Sequence, residues 1–344
     1  MRHYTSAQEI KIAVIGYGGA FNMGWQHLDQ ARKAGMTPTA VVEVDAARLA
    51  VARKDFPGIE TYPSTAAMLR TSKANLAVIV TPHNTHAALA LQCLKAGLHV
   101  VCEKPLAITT AECDAMIREA RKQGVILSTY HNRHWDGCII EAVRQIVTHN
   151  VIGEVTRIEA HMGGYGKPGD WWRSSKRISG GILYDWGVHL LEYSLQILKS
   201  DIVEVTGVAT TGFWAGQTAW KKDTNEDEAT ALVRFRNGAY LLLRVTQLDM
   251  NTKPGWLEIT GTKGTYVMDG GSWETITKED GVTVRRRGRN PDGKPLAYYK
   301  NVADHLVKGT GLVISGEWAR RPIHILDLAH QSARKGTALK ATYA

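Results

Sequence analysis

The stretch KIAVIGYGGA, residues 11–20, joins an apolar run rich in β-branched residues to a glycine-rich turn. Its first five residues predict a buried strand, and Gly16, Gly18 and Gly19 follow directly, ahead of a helix-length segment. Glycines at this place allow a tight turn and let backbone N–H groups approach a pyrophosphate at a helix N-terminus. The third glycine of a G-x-G-x-x-G pattern comes late, at Gly24, which predicts a short insertion in the loop.

Further apolar runs alternate with helix-length segments over the first 130 residues. The strand-like runs are Thr39–Val44, Leu76–Val80, Leu98–Cys102 and Val125–Thr129. The helix-length segments include Ala46–Asp55, Thr85–Ala96 and Thr109–Gln123. Strands that alternate with helices build βαβ units and a parallel sheet. Residues 1–130 are therefore predicted to form an α/β domain that binds a dinucleotide.

The pattern changes near Tyr130. Helices are predicted over Gly137–Thr148, Asp185–Leu198 and Gly316–Lys335. Strand-like runs cover Val203–Ala209, Ala229–Phe235, Ala239–Val245, Leu257–Ile259 and Thr265–Met268, and Asn237-Gly238 between two of them is typical of a hairpin turn. Residues 131–344 are therefore predicted to form a second, α+β domain with an open, mainly antiparallel sheet. Packing of the C-terminal helix against the first domain stays an alternative.

Composition places the chain among globular proteins with two domains. It has 344 residues, of which 44% are hydrophobic and 22% charged. No apolar run approaches the length of a membrane span, and residues 1–10 lack the apolar core of a secretory signal. The four cysteines form no C-x-x-C pair. We therefore expect a cytoplasmic protein with no disulfide framework and no membrane partner.

The formal net charge of +9 is partly concentrated in one arginine run, at Arg285, Arg286, Arg287 and Arg289. Such a run could bind nucleic acid or a phosphorylated ligand. It is also typical of a strand edge whose charges prevent pairing with another chain. Because no nucleic-acid-binding module accompanies the run, we favour the edge strand and expect no nucleic-acid partner.

An acidic residue, Glu43, ends the second predicted strand at a plausible distance beyond the glycine loop. A carboxylate there accepts hydrogen bonds from the adenosine ribose and repels a 2′-phosphate, which favours NAD over NADP. Asp45 could compete for this role, and the nearby Arg48 leaves NADP open.

Glu103-Lys104-Pro105 stands where the predicted strand Leu98–Cys102 ends. Ligands of open parallel sheets bind beyond the carboxyl ends of the strands, so Lys104 could donate a hydrogen bond to a substrate oxygen. A surface lysine before a turn is the alternative.

A second constellation is GGILYDWGVH, residues 180–189, in which Asp185 and His189 are four residues apart. On a helix the two side chains would share one face. A histidine with a nearby carboxylate can accept a substrate proton. A helix-capping aspartate with a core histidine is the alternative.

With these motifs in place, the chain resembles the glucose–fructose oxidoreductase, inositol dehydrogenase and rhizopine catabolism (Gfo/Idh/MocA) family over nearly its full length. The resemblance rests on the glycine loop with His27, Thr81-Pro82 with Asn84 and His86, Gly97 to Pro105, Gly153-Glu154-Val155, Trp172-Arg173, Gly181 to His189, and Ser315-Gly316-Glu317 with Ser332-Ala333 and Gly336. Two departures are the inserted Phe21-Asn22-Met23 and Glu192, where many relatives have Asp.

The resemblance implies a Rossmann domain followed by an open-sheet domain that often mediates oligomers. It implies a catalytic group of Lys104, Asp185 and His189, with His189 as the base. The cofactor residues are then expected to be Gly16, Gly18, Gly19, Ala20, Phe21, Glu43, Thr81, Pro82, Asn84, His86, Glu103 and Lys104. The substrate residues are expected to be Lys104, Asn132, Trp172, Arg173, Asp185 and His189.

The function that this resemblance favours is hydride transfer between NAD and a hydroxyl-bearing carbon of a sugar, sugar derivative or cyclitol, by a homodimer or homotetramer. A redox-neutral NAD-dependent glycoside hydrolase or epimerase would keep the same residues. A non-catalytic sugar-sensing regulator is a third possibility.

Two H-x-x-H pairs could bind a metal, His83 with His86 and His131 with His134. Neither pair carries the glutamate of a zinc-protease motif, so we expect no catalytic metal.

Overall fold

The first apolar run of the sequence forms a central strand of a six-stranded parallel sheet. The structure is a computed structural model that describes residues 4–342. The strands of this sheet are β1 (Lys11–Ile15), β2 (Thr37–Val42), β3 (Glu60–Tyr62), β4 (Leu76–Ile79), β5 (His99–Cys102) and β6 (Leu127–Thr129). They lie in the order β3-β2-β1-β4-β5-β6, and every neighbouring pair is parallel. Strands β4 and β5 are buried at every residue, as near-continuous apolar runs in a covered parallel sheet should be.

Helices connect these strands and continue through the rest of the chain. They are α1 (Met23–Lys33), α2 (Ala46–Asp55), α3 (Thr65–Thr71), α4 (His86–Lys95), α5 (Thr110–Gln123), α6 (Gly137–Val143), α7 (Lys176–Ser179), α8 (Gly187–Ile197), α9 (Ala297–Lys308) and α10 (Gly316–Lys335). Short 3-10 turns cover Ala7–Glu9, His83–Thr85, Asn132–Trp135, Trp172–Ser174, Ile182–Tyr184, Ala215–Gln217 and Lys221–Asp223, and one π-helical turn, Arg144–Thr148, extends α6. A capping box of Thr109 and Glu112 starts α5, and left-handed Gly124 ends it.

The second sheet has nine strands and is mainly antiparallel. Its strands are β7 (Val155–Gly163), β8 (Ile202–Thr210), β9 (Glu228–Phe235), β10 (Tyr240–Thr246), β11 (Leu257–Gly261), β12 (Gly264–Met268), β13 (Ser272–Glu279), β14 (Val282–Arg289) and β15 (Leu339–Lys340). Their order is β14-β13-β12-β11-β7-β10-β9-β8-β15. Only β7 and β10 pair in parallel among these neighbours within the described range.

The chain divides into two units. Unit 1 comprises the chain up to His131 together with Leu296–Arg321, and unit 2 comprises Asn132–Pro295 together with the chain from Pro322 onward. The division therefore falls inside α10. Leu296–Arg321, which lies beyond the sequence-based boundary at residues 130 and 131, belongs to unit 1.

The predicted fold class is confirmed, and most element boundaries agree within two residues. The helices Ala46–Asp55 and Gly316–Lys335 match at both ends. The Asn237-Gly238 hairpin is present between β9 and β10, with Gly238 at a φ of 87°.

One helix boundary differs from the prediction at the candidate site. Helix α8 begins at Gly187, so Asp185 precedes the helix instead of sharing a helical face with His189.

The arginine run forms β14, the edge strand of the nine-stranded sheet. The Arg285 guanidinium pairs with Glu274 on β13 at 2.7 Å, and Arg286 pairs with Glu279. This placement confirms the edge-strand interpretation, since charged side chains at an edge oppose pairing with another chain.

The four cysteines are free thiols inside the protein. Burial raises the pKa of Cys93 to about 12 and that of Cys138 to about 11. These thiols therefore stay protonated at neutral pH and act as small apolar groups. Across residues 4–342, none of the helices has the length and apolar character needed to cross a membrane.

Candidate active site

The glycine loop between β1 and α1 needs its glycines for different reasons. Gly16 has a φ of 99°, and a Cβ there would lie 2.1 Å from the carbonyl oxygen of Val80. Gly24, in the first turn of α1, would bring a Cβ within 2.8 Å of the Gly16 oxygen. A Cβ on Gly18 would meet no atom within 4 Å, so Gly18 faces open space. Gly24 therefore takes the close-packing role of the third glycine, and the insertion leaves Phe21 59% exposed.

A carboxylate and a guanidinium flank this loop. Glu43 Oε2 accepts a hydrogen bond from the Tyr17 N–H at 2.6 Å, and its Oε1 accepts one from the Val44 N–H at 2.7 Å. Arg48 Nε donates to the Tyr17 carbonyl oxygen at 2.8 Å, and a Cβ on Gly19 would lie 3.3 Å from Arg48 Nη1. Glu43 thus joins the end of β2 to the loop, and Arg48 brings a positive charge to the same place.

The segment after β4 carries four predicted cofactor residues, Thr81, Pro82, Asn84 and His86. The ring of His86 is buried, with Nε2 2.8 Å from the Thr81 carbonyl oxygen and Nδ1 2.8 Å from the Pro105 carbonyl oxygen. Asn84 is exposed. His86 therefore joins the backbone after β4 to the backbone after β5, and Asn84 is the most exposed of the four residues.

Glu103 and Lys104 follow β5, at the edge where the carboxyl ends of the parallel strands meet. Glu103 is buried, with Oε1 3.0 Å from His27 Nε2, and its Oε2 accepts a hydrogen bond from the Lys104 N–H at 2.9 Å. Burial alone would raise the pKa of Glu103, but the hydrogen bond from His27 and the charge of Lys104 outweigh burial and hold the pKa below its ordinary value. Glu103 is therefore an ionised carboxylate that binds groups of its own unit.

In unit 2, Asp185 is paired with Arg173. Arg173 Nη1 lies 2.6 Å from Asp185 Oδ1, and the Asp185 side chain is 40% exposed. The guanidinium carbon of Arg173 also lies 5.3 Å from the ring centre of Trp171 and 4.8 Å from that of Trp172. Two aromatic faces, a cation and a carboxylate thus meet at one place, which suits a ligand with both apolar faces and hydroxyl groups.

His189 stands in the first turn of α8 and is 5% exposed. One turn further along α8, the buried Glu192 carboxylate binds His134 Nδ1 at 2.5 Å. His134 and the predicted substrate residue Asn132 both lie on the 3-10 turn Asn132–Trp135. Glu192, the departure from the common Asp, therefore orients the segment that carries Asn132.

No motif of the sequence indicated the segment that holds these loops, Asp223–Asp227. Asp223 accepts hydrogen bonds from the Ser175 hydroxyl and the Arg177 N–H, and Asn225 Nδ2 donates to the Arg173 carbonyl oxygen at 2.7 Å. The segment precedes β9 and shares no motif with the loops that it binds. Its density of Asp, Asn and Glu was the available signal, because these side chains commonly bind backbone groups of turns.

Glu226, in the middle of this segment, binds the turn that leads to Asp185. Its Oε2 accepts a hydrogen bond from the Ile182 N–H at 2.9 Å, and its Oε1 lies 2.7 Å from Lys176 Nζ. Burial alone would raise the pKa of Glu226, but its bond to Lys176 outweighs burial and holds the pKa below its ordinary value. Gly181 has a φ of 125°, and a Cβ there would lie 2.8 Å from Glu226 Oε2. The second glycine of the motif, Gly181, is thus explained by the approach of this carboxylate.

The predicted residues therefore divide into two groups according to the unit that holds them. Unit 1 holds the glycine loop, Glu43, the Thr81–His86 segment, Glu103 and Lys104, and unit 2 holds Asn132, Trp172, Arg173, Asp185 and His189. The group in unit 1 fits a dinucleotide. Gly18 borders open space, Gly24 brings the N-terminus of α1 against the loop, and Arg48 adds a positive charge there, as a pyrophosphate requires.

Two family models match this chain. The model described as "Oxidoreductase family, NAD-binding Rossmann fold" matches residues 10–131, and the model "GFO/IDH/MocA C-terminal domain" matches residues 140–267. The first match covers the glycine loop and Lys104, and the second covers Asp185 and His189. Residues 10–131 therefore form an NAD-binding Rossmann domain.

Curated relatives include dehydrogenases. An "Uncharacterized oxidoreductase C115.03" of Schizosaccharomyces pombe is 31% identical over 42% of this chain and 40% of that protein. The scyllo-inositol 2-dehydrogenase (NADP(+)) IolW of Bacillus subtilis is 27% identical over 55% of this chain and 51% of that protein. The chain thus spans about half the length, or less, of these two relatives. The myo-inositol 2-dehydrogenase of Thermotoga maritima is 27% identical over 79% of this chain and 78% of that protein.

A solved structure agrees in fold over nearly the whole chain. The complex of levoglucosan dehydrogenase with NADH and levoglucosan is 18% identical, covers 97% of this chain and 100% of that chain, and has a TM-score of 0.82. At this identity the likeness concerns the arrangement of the backbone.

Proposed function

This chain belongs to the GFO/IDH/MocA family of NAD-binding oxidoreductases, and we propose that it transfers a hydride to or from a hydroxyl-bearing carbon of a sugar, sugar derivative or cyclitol. The observation that carries the proposal is the group in unit 2, where Asp185 and Arg173 meet two tryptophan rings just before the helix of His189. The inositol dehydrogenases among the relatives support a polyol substrate.

The proposed chemistry needs a base, because a hydroxyl proton must leave as the carbonyl forms. We assign this role to His189, since an imidazole can accept a proton near neutral pH. Asp185 stabilises the resulting imidazolium, and Lys104 donates a hydrogen bond to the substrate oxygen. NAD bound in unit 1 would supply the acceptor for the hydride of the substrate carbon. Lys104, Asp185 and His189 form the proposed catalytic group.

Substrate contacts are assigned to residues near Asp185. The Trp172 ring offers a face for the apolar side of a sugar or cyclitol ring. Arg173 and Asn132 offer hydrogen-bond donors to its hydroxyl groups. Arg173 is already paired with the Asp185 carboxylate, which offsets much of its positive charge. This pairing favours a neutral polyol over an acidic sugar as the substrate.

In unit 1, Glu43 is assigned to the adenosine ribose, and NAD is the proposed cofactor in preference to NADP. The hydrogen bond from the Tyr17 N–H to Glu43 supports this role, because it places the carboxylate against the glycine loop. The remaining cofactor residues of unit 1 are proposed to line the same dinucleotide.

A substrate screen tests the function. The protein is incubated with NAD or NADP and with panels of neutral sugars, uronates, cyclitols and aryl glycosides, and reduced cofactor is followed at 340 nm. We expect NAD reduction with a neutral sugar or a cyclitol. Release of an aglycone without net NADH would identify a redox-neutral hydrolase instead. Binding of sugars without any turnover would identify a sensor, and either result would overturn the proposed dehydrogenase.

A further inference from the structure

A buried chain of hydrogen bonds reaches the backbone of Lys104 from two distant helices. On α9, the Tyr299 hydroxyl lies 2.6 Å from His27 Nδ1, and His27 belongs to α1, the helix that follows the glycine loop. His27 Nε2 lies 3.0 Å from Glu103 Oε1, and Glu103 Oε2 accepts a hydrogen bond from the Lys104 N–H at 2.9 Å. The side chains of His27 and Tyr299 are fully buried, and all four residues belong to unit 1.

The charge of Glu103 fixes the direction of its bond to His27. An ionised carboxylate only accepts hydrogen bonds, so His27 Nε2 carries a proton and donates the hydrogen bond to Glu103. The other ring nitrogen, Nδ1, is hydrogen-bonded to the Tyr299 hydroxyl. These bonds link Tyr299 through His27 to Glu103, whose Oε2 accepts the bond from the Lys104 N–H.

The backbone on the other side of Lys104 is also held. The Pro105 carbonyl oxygen lies 2.8 Å from His86 Nδ1. A residue before proline is restricted to extended conformations, so Lys104 has few backbone states once its N–H is bound. The position of Lys104 at the end of β5 therefore depends on the Glu103 carboxylate staying in one place.

We propose that His27, Glu103 and Tyr299 are positioning residues that hold the backbone of Lys104 for hydride transfer, and that Glu103 acts in this way instead of contacting the cofactor. This inference rests on the catalytic role of Lys104 in the proposed function. It assigns a role to Tyr299, about 170 residues beyond the predicted nucleotide-binding domain, that no sequence motif indicates.

The structure offers a closely matched pair of variants for the test. Tyr299→Phe removes the hydroxyl that binds His27, whereas Tyr298→Phe removes the neighbouring hydroxyl, which binds Ser128 Oγ at the same distance of 2.6 Å. Tyr298 and Tyr299 are adjacent on α9 and equally buried. Loss of a buried hydrogen bond therefore occurs in both variants, but only Tyr299→Phe breaks the chain to Lys104.

The first readout needs neither substrate nor cofactor. The protein is labelled with ¹⁵N-lysine, the Lys104 amide is identified by its loss in Lys104→Ala, and its hydrogen exchange is measured. We expect exchange at Lys104 to accelerate by about three- to tenfold in Tyr299→Phe, the factor that one lost hydrogen bond predicts, and to stay unchanged in Tyr298→Phe. Glu103→Gln should act like Tyr299→Phe, because an amide offers one acceptor oxygen where the carboxylate uses two.

The second readout separates positioning from general destabilisation. With NAD and the substrate found in the screen, Tyr299→Phe should lower kcat by about three- to tenfold while the substrate KM and the calorimetric Kd for NAD stay within about twofold. Tyr298→Phe should change none of the three. Equal exchange and equal kcat in the two variants would overturn the positioning role. A tenfold loss of NAD affinity in Glu103→Gln with normal exchange at Lys104 would show instead that Glu103 contacts the cofactor.

Failure of the proposed function gives a different result. If Lys104→Ala keeps full turnover, the catalytic role of Lys104 is wrong, and the claim that its position matters for hydride transfer falls with it. Accelerated exchange in Tyr299→Phe would then still establish the hydrogen-bond chain itself.

Discussion

Replacement of His189 by alanine tests the chemistry at a single residue. The variant removes the proposed base, so turnover should fall by about 10²–10⁴-fold. NAD affinity should change little, because His189 belongs to unit 2 and the NAD-binding domain to unit 1. Steady-state kinetics and calorimetric titration with NAD measure the two quantities.

The exposed His149 offers a control in the same unit, and His149→Ala should behave as the wild type. Near-normal turnover of His189→Ala would mean that the base is misassigned, and Lys104 would become the better candidate.

Cofactor preference also depends on single residues. Glu43→Ser removes the carboxylate that we propose repels a 2′-phosphate and leaves Arg48 beside the loop, so the proposed preference for NAD over NADP should fall by about tenfold. The double variant Glu43→Ser with Arg48→Ala should gain less NADP activity, because the guanidinium that can bind the phosphate is gone. The ratio of kcat/KM for the two cofactors is the measurement. A wild-type protein that uses NADP as well as NAD would show that Glu43 does not contact the ribose.

At the scale of one element, the turn before α8 depends on the buried carboxylate of Glu226. Glu226→Gln keeps the shape but loses the charge that pairs with Lys176, and the free energy of unfolding at pH 7 should fall by about 1–3 kcal/mol. Lys176 is one-third exposed and can be rehydrated, which limits the loss. Denaturant unfolding measures the change. The control is Glu279→Gln, which breaks an exposed pair with Arg286 and should have no measurable effect.

The lowered pKa of Glu226 predicts how the stability of the protein changes with pH. The pKa of Glu226 is lower in the folded protein than its ordinary value of 4.5, so its ionised form stabilises the fold. This contribution is fully present above about pH 4.5 and is lost as the pH falls through the folded value. The stability difference between wild type and Glu226→Gln should therefore shrink below pH 4.5. A difference that stays constant from pH 7 to pH 3 would show that the charge of Glu226 is not involved.

For the whole molecule, the prediction is a homodimer or homotetramer. On β9 and β10, Ala231, Val233, Leu241 and Leu243 are buried. Leu232 and Leu242 alternate with them, face each other across the two strands, and remain partly exposed. This face is not uniformly apolar, because Arg157 and Glu159 on β7 pair with each other there and Glu159 also pairs with Lys253. A partly apolar face of this kind still favours a partner.

Light scattering at micromolar concentration should report a dimer or tetramer. Leu242→Glu, which places a charge on this face, should shift the protein toward the monomer, whereas Lys54→Glu on the exposed side of α2 should not. A monomeric wild type at that concentration would contradict the prediction.

Local sequence determined the elements whose signals lie within a few residues. The helix ending at Gly124 and the periodic helix Gly316–Lys335 could be recognised because their hydrogen bonds join near neighbours. The strand before Gly16 could be recognised because its apolar, β-branched run is continuous. The candidate residues Lys104, Asp185 and His189 could be named because each stands in a short motif. Strand β7 was missed although its sequence alternates in part, and its parallel partner β10 lies about 80 residues away.

Only the tertiary structure decided how those residues are held. His27, Glu103 and Tyr299 come together across separations of 76 and 272 residues, and Glu226 reaches Ile182 across 44. The pattern of a short stretch of sequence cannot indicate such contacts, because bringing the distant residues together depends on the packing of whole sheets and helices. The turn that precedes α8 is also held by such a contact, the bond from the Ile182 N–H to Glu226. The sequence thus indicated which side chains are candidates for the chemistry, and long-range contacts of the buried carboxylates Glu103 and Glu226 hold the segments that carry Lys104 and Asp185.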